Sequence, residues 1–118
     1  MILVDTSVWV EHLRKGNARL KGLLYDEQVV CHPMVVGELA CGNLGNRREI
    51  LALLSALPQA HVAHHAEAMH LLESEQLYGR GLGWVDVHLL ASAMLTQCSL
   101  WTLDKALMQS AISLRVSS

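Results

Sequence analysis

Short apolar runs alternate along this chain with longer stretches in which apolar residues recur at helical spacing. Ile2, Leu3 and Val4 have the length and branching of a buried strand. Beyond Asp5, Thr6 and Ser7 the pattern changes: Val8, Trp9 and Leu13 are apolar, while Glu11, His12, Arg14 and Lys15 are polar. This predicts a strand, a sharp turn and a helix that Gly16 ends, just after two basic residues. A second helix is predicted over Ala18–Tyr25, with Leu20, Leu23 and Leu24 inward, and a second strand over Gln28–Cys31. His32 and Pro33 then open a helix running from Met34 to Gly42, with proline at a tolerated first-turn position. After a loop from Gly42 to Asn46, Arg47–Leu57 forms an amphipathic pattern stopped by Pro58.

The second half continues the alternation. Ala60–Ala63 is expected to be a third short strand, followed by a helix to about Tyr78 that turns Ala66, Met69 and Leu72 inward. Gly79, Gly81 and Gly83 mark the segment GRGLGW as a mobile loop; it matches neither a dinucleotide fingerprint nor a P-loop, because the spacing differs and no strand precedes it. From Val85 to Leu95 the chain is apolar almost all round, which describes a buried helix. Leu100–Leu103 is predicted as the next strand and Lys105 to about Ile112 as the last helix, with SLRVSS either an edge strand or a frayed end. Strands separated by helices imply an open α/β sheet. A length of 118 residues is expected to make one domain, residues 1–118.

Composition narrows the function. Apolar residues make up 52% of the chain, more than a disordered segment carries. With 9 Lys and Arg against 11 Asp and Glu the net charge is −2, so a polyanion would have to be met by local basic residues or a metal. Cys31, Cys41 and Cys98 lie in apolar surroundings with no paired spacing, and are expected to be small core residues without a disulfide. His61, His64, His65 and His70 lack the spacing of the common structural zinc sites. No charged leader precedes an apolar run and no apolar stretch is long enough to cross a bilayer, so a soluble cytoplasmic protein is expected.

The candidate chemistry lies in carboxylates that interrupt or end apolar segments. Asp5 and Asp104 each follow a short apolar strand, at the sheet edge where open α/β folds bind ligands. Glu38 is the only charge in its helix, expected on an apolar face with no Lys or Arg within a turn, and Asp86 begins the buried helix. The alternative for each aspartate is a helix cap. If the four converge they repel, since two unit charges about 4 Å apart cost roughly 4 kcal/mol at an effective dielectric near 20. Such a cluster takes up protons or binds a hard cation, and all-oxygen ligation selects Mg²⁺ or Mn²⁺. Thr6, Ser7 and Thr102 are candidates to orient the carboxylates or their waters. The residues alone lead to metal-dependent phosphodiester or phosphate chemistry. A magnesium-dependent phosphatase or phosphoacceptor domain ends parallel strands in Asp too, but uses a nucleophilic Asp with a helping Lys, and here Lys105 directly follows Asp104 and heads a helix.

The segments LVDTSVW, VVGELACG, WVDVHLLASA and LWTLDKAL resemble, in order and at comparable spacing, the four acidic motifs of PIN-domain ribonucleases, with the nearest likeness to VapC toxins of bacterial toxin–antitoxin pairs. The resemblance spans Ile2 to Leu107. It implies a three-layer α/β/α sandwich around a mainly parallel sheet. It also implies Mg²⁺- or Mn²⁺-dependent endonucleolytic cleavage of RNA, commonly tRNA or rRNA, with Asp5, Glu38, Asp86 and Asp104 as the metal-binding, catalytic carboxylates and Thr102 as the hydroxyl of the last motif. A VapB-type antitoxin and a homodimer are the partners it implies, and a catalytically inactive PIN-like binding module is the alternative within the same fold. Arg47, Arg48, Arg80 and Lys105 are the basic candidates for RNA contact, and Trp84 is a candidate to stack on a base.

Overall fold

The computed structural model describes residues 1–118. In chain order the elements are β1 (Ile2–Val4), α1 (Thr6–Lys15), α2 (Ala18–Tyr25), β2 (Val29–Val30), α3 (Pro33–Ala40), α4 (Arg47–Ala56), α5 (His65–Ser74), α6 (Trp84–Thr96), β3 (Ser99–Trp101) and α7 (Lys105–Ser113). The strands form one parallel sheet in the order β2-β1-β3, with Leu3 of β1 opposite Val30 on one side and Leu100 on the other. A central strand has no solvated face, and Leu3 and Val4 are fully buried. On the helical layers, α1 packs with α3 and α3 with α4, while α5 packs with α6 and α6 with β3. The result is the three-layer α/β/α arrangement.

Because β1 leads to β2 on one side and the later chain returns to β3 on the other, the strand order reverses between β1 and β3. At such a switch point the loops leaving neighbouring strands diverge and open a crevice at the carboxyl ends. Asp5 follows β1 there, its backbone N–H bonded to the Trp101 carbonyl at 2.9 Å.

Two expected strand segments are shorter than the apolar runs, because hydroxyl groups claim nearby amides. At Ala60–Ala63 there is no strand: one isolated bridge joins Gln59 to Cys31, after which the His61 amide donates to Thr96 Oγ1 at 2.9 Å and the Ala63 amide to Ser92 Oγ at 3.1 Å. β3 ends at Trp101 rather than Leu103, since the Leu103 amide donates to Ser7 Oγ and the Asp104 amide to Thr102 Oγ1, both at 3.0 Å. The tail makes a single bridge between Leu100 and Ser117, tied down by Arg19, which donates to Ser118 Oγ and lies over the Trp101 ring. The helix after Ala63 also stops early, at Ser74: Gln76 adopts a left-handed backbone (φ 52°), and the amide of buried Leu77 turns back to the Leu72 carbonyl. Within that helix Ala68 and Leu71 are the buried residues, one position from the expected stripe, and Met69 is exposed. Of the cysteines only Cys31 is a core residue; Cys41 is exposed and Cys98 half-buried, and all are free.

His32 sets the start of α3. Its Nδ1 accepts the Met34 amide at 3.0 Å as the helix N-cap, and its Nε2 meets Ser92 Oγ of α6 at 3.0 Å, with the ring wholly buried. Burial, and secondarily the neighbouring His88, push its pKa down to about 4 from 6.5. The folded protein therefore holds a neutral ring while the unfolded chain takes a proton near 6.5. His32 imposes no pH penalty above about pH 6.5; as pH falls, stability declines through the window down to about pH 4 and then levels off. The loss is at most about 3 kcal/mol. Urea midpoints at pH 7, 5.5 and 4 are expected to show this decline, and His32→Asn, which keeps a capping side chain, is expected to flatten much of it.

Candidate active site

The site is built outward from Asp5, which is buried at 6% exposure. Its Oδ2 accepts the Thr102 hydroxyl at 2.8 Å and the Ser7 hydroxyl at 2.7 Å, while the Ser7 amide, at 3.4 Å, adds a long capping contact. Ser7 Oγ and Thr102 Oγ1 are themselves 3.3 Å apart. The carboxylate is therefore both the N-cap of α1 and the centre of a small hydroxyl network that bridges the two sides of the switch point. One oxygen takes these donors, and no Lys or Arg is among them.

The other acids come to the same region by different local routes. Asp104 is exposed and caps α7, accepting the Leu107 amide at 2.9 Å. Asp86, half-buried in the first turn of α6, accepts the Gly83 amide at 2.8 Å. Capping is thus real at three of the four positions, and it holds each aspartate at the start of a helix. Glu38 corrects the expectation of a buried glutamate. The buried stripe of α3 runs through Val35 and Leu39, so Glu38 stands at its edge, exposed, and accepts the Thr6 hydroxyl at 2.6 Å.

Proximity shows in the electrostatics of Asp86. Its pKa is raised, chiefly by burial, with Asp5, Asp104 and Glu38 each adding to the rise and the Gly83 amide opposing it. Asp86 is near enough to feel all three, yet no three carboxylate, histidine or cysteine side chains lie close enough to grip one ion directly. Each is turned toward an N–H or O–H donor instead. A groove of about 570 Å³ between α1, α3 and α4 has Glu38 in its lining, together with Leu39, Asn43, Asn46 and Arg14. Arg14, one of the polar positions of α1 in the sequence, lines this groove with Glu38; its i+4 spacing from Val10, which lines the same groove, is the signal that places it there.

The profile of the PIN-domain family matches residues 2–112 of this chain. The chain belongs to the PIN-domain family. Among curated proteins it is similar to Ribonuclease VapC32 of Mycobacterium tuberculosis, in strains CDC 1551 / Oshkosh and ATCC 25618 / H37Rv. Each is 51% identical over 108 residues, a span that covers 91% of this chain and 87% of the relative. These similarities place it within the VapC branch of PIN domains.

The remaining sequence candidates fall around this PIN-domain site in different ways. Thr6, Ser7 and Thr102 all bond to its carboxylates. Arg47 donates to the Ala40 carbonyl at 2.9 Å and so closes the C-terminal end of α3. Its place at the start of α4, unfavourable for that helix's dipole, is offset by this service to the helix before it. Arg48, Arg80 and Lys105 are exposed, Arg80 within the loop whose Gly79 and Gly81 take positive φ, and Lys105 as the first residue of α7. Trp84 is 38% exposed and held between His65 and His88, with ring centroids at 5.3 and 4.7 Å.

Two substitutions test this network. Thr102→Val removes a hydroxyl that serves both Asp5 and the Asp104 amide, and is expected to cost about 1–3 kcal/mol in denaturant unfolding. Asp86→Asn keeps an acceptor for the Gly83 amide but removes a crowded, partly desolvated charge, so the thermal midpoint of metal-free protein is expected to rise by roughly 2–4 °C.

Proposed function

We propose that this PIN domain is a Mg²⁺- or Mn²⁺-dependent endoribonuclease, acting as the toxin of a toxin–antitoxin pair and hydrolysing RNA phosphodiester bonds, with tRNA or rRNA as the substrate class. The observation that carries the reading is the gathering of Asp5, Glu38, Asp86 and Asp104 at the switch point of a chain 51% identical to a named ribonuclease, with repulsion among them felt at Asp86. An all-carboxylate donor set fits a hard cation. Its spread, too wide for three direct ligands, fits an ion that keeps several of its waters. When bound, such a cation supplies a water of lowered pKa and screening of phosphate charge.

The chain's own residues do the rest. Asp5, Glu38, Asp86 and Asp104 hold the ion and its waters. Ser7 and Thr102 orient Asp5 by occupying one of its oxygens, which leaves the other for the ion, and Thr6 does the same for Glu38. Arg48, Arg80 and Lys105 attract the RNA backbone that the net charge of −2 does not. Arg47 is the weaker candidate of this set, because its guanidinium is already engaged. A VapB-type antitoxin is the partner that restrains the enzyme, and the toxin works in the cytoplasm as a homodimer. No helix is long and apolar enough to cross a membrane.

Incubating purified protein with total cellular RNA is the direct test. Discrete fragments are expected with Mn²⁺ or Mg²⁺ and none with EDTA. Asp5→Asn is expected to lower cleavage by more than the ~10–100-fold that loss of a residue supporting a metal ligand costs. Metal-independent cleavage, or an Asp5→Asn variant as active as the parent, would overturn the assignment.

A further inference from the structure

His32 lies outside the carboxylate site but joins its two halves. The ring is wholly buried, and so is Ser92. Because Nδ1 accepts the Met34 amide, the ring proton sits on Nε2 and is donated to Ser92 Oγ at 3.0 Å. The same hydroxyl accepts the Ala63 amide at 3.1 Å. Each half of this contact belongs to a helix that bears a carboxylate of the site: His32 caps α3, which carries Glu38, and Ser92 sits within α6, which carries Asp86. The two helices have their main packing partners elsewhere, α3 against α1 and α4, α6 against α5 and β3. The His32–Ser92 bond is the one hydrogen bond that links α3 and its cap to α6.

We propose that His32 is a positioning residue for the carboxylate site: its Nε2 bond to Ser92 sets the spacing between the helix that bears Glu38 and the helix that bears Asp86. The lever is short and stiff. Each carboxylate stands six residues from its end of the bond, roughly 9 Å along a helix. A tilt of about 6° at the bond moves a carboxylate by about 1 Å, a displacement that costs on the order of 100-fold where groups must be held in one geometry. Serine suits the α6 position because it is small enough to be fully enclosed yet has an oxygen to take two donors at once. Histidine suits the cap because one ring offers an acceptor to its own helix and a donor to the next.

This inference rests on the carboxylates binding a divalent ion, and the test separates the two. Asparagine places an acceptor where Nδ1 stands but is too short to reach Ser92, whereas glutamine reaches the position of Nε2 with a donor. Mn²⁺ affinity is measured by calorimetric titration on folded protein for the parent, His32→Asn, His32→Gln and Ser92→Ala, with cleavage kinetics alongside. His32→Asn and Ser92→Ala are expected to weaken Mn²⁺ binding about tenfold and lower kcat with little change in KM, while His32→Gln stays within about threefold of the parent. The double variant His32→Asn/Ser92→Ala is expected to be no worse than either single one. Equal Mn²⁺ affinity in all of them, with only their thermal midpoints lowered, overturns the proposal and leaves His32 a purely structural cap. Should the parent itself bind no Mn²⁺, the metal reading fails and the spacing is read without it. A nitroxide on exposed Cys41, just beyond α3, then relaxes the amides of α6; a pattern changed by His32→Asn but not by His32→Gln upholds the positioning role, and an unchanged pattern in both overturns it.

Discussion

A carboxylate buried at the end of the central strand is the constraint from which the rest of this molecule can be reasoned. Asp5 is almost wholly buried and bonds to no Lys or Arg; its partners are the hydroxyls of Ser7 and Thr102. Charge-assisted bonds of this kind are among the stronger ones a protein makes, and they hold β1, the start of α1 and the turn after β3 in one arrangement. The same hydroxyls then claim the Leu103 and Asp104 amides, which ends β3 and delivers Asp104 to the start of α7. One polar cluster thus anchors a carboxylate, terminates a strand and positions a second carboxylate. A fold that needed only stability would not concentrate like charge in this way. The repulsion that reaches Asp86 adds to the burial that already raises its pKa.

Much of this was legible in the residues, for definite reasons. An apolar run of three that breaks at Asp, as at Ile2–Asp5, reads as a short buried strand with a carboxylate at its exit, and the second such break at Asp104 points to the same edge. The helices announced themselves by their breakers and starts: Gly16 after α1, Pro33 at the start of α3, Pro58 after α4. What failed had one common cause. The Ala60–Ala63 strand and the last two residues of the predicted final strand were both judged on side-chain pattern, whereas their fate was decided by which acceptor captured each amide. Thr96, Ser92 and Ser7 lie far along the chain from the amides they bind, by 35, 29 and 96 residues. No local pattern encodes that competition.

Glu38 failed differently. A lone charge among Met, Val, Leu and Ala looks buried if the apolar stripe is assumed to be wide. The stripe is narrow, through Val35 and Leu39, and the glutamate sits beside it in the open with a threonine hydroxyl as partner. Its candidacy does not depend on that premise, because no Lys or Arg lies within a helical turn of it. His32 and Ser92 drew no functional notice at all, since a histidine before a proline and a serine inside an apolar helix each look ordinary until they are seen to meet.

The hydrogen bond between Thr102 and Asp5 spans 97 residues, and it has a consequence for the order in which the molecule assembles. Contacts so distant along a chain form late, after the intervening loops have closed. During synthesis Asp5 leaves the ribosome early, but the partner that orders it, the strand that flanks it and the carboxylate opposite it all reside in the stretch from Ser99 to Asp104. Until that stretch is made, the first strand lacks its neighbour on one side and Asp5 lacks one of its two hydroxyl donors. The order around Asp5 therefore arrives in one step, once the chain through Asp104 has been made, and not strand by strand.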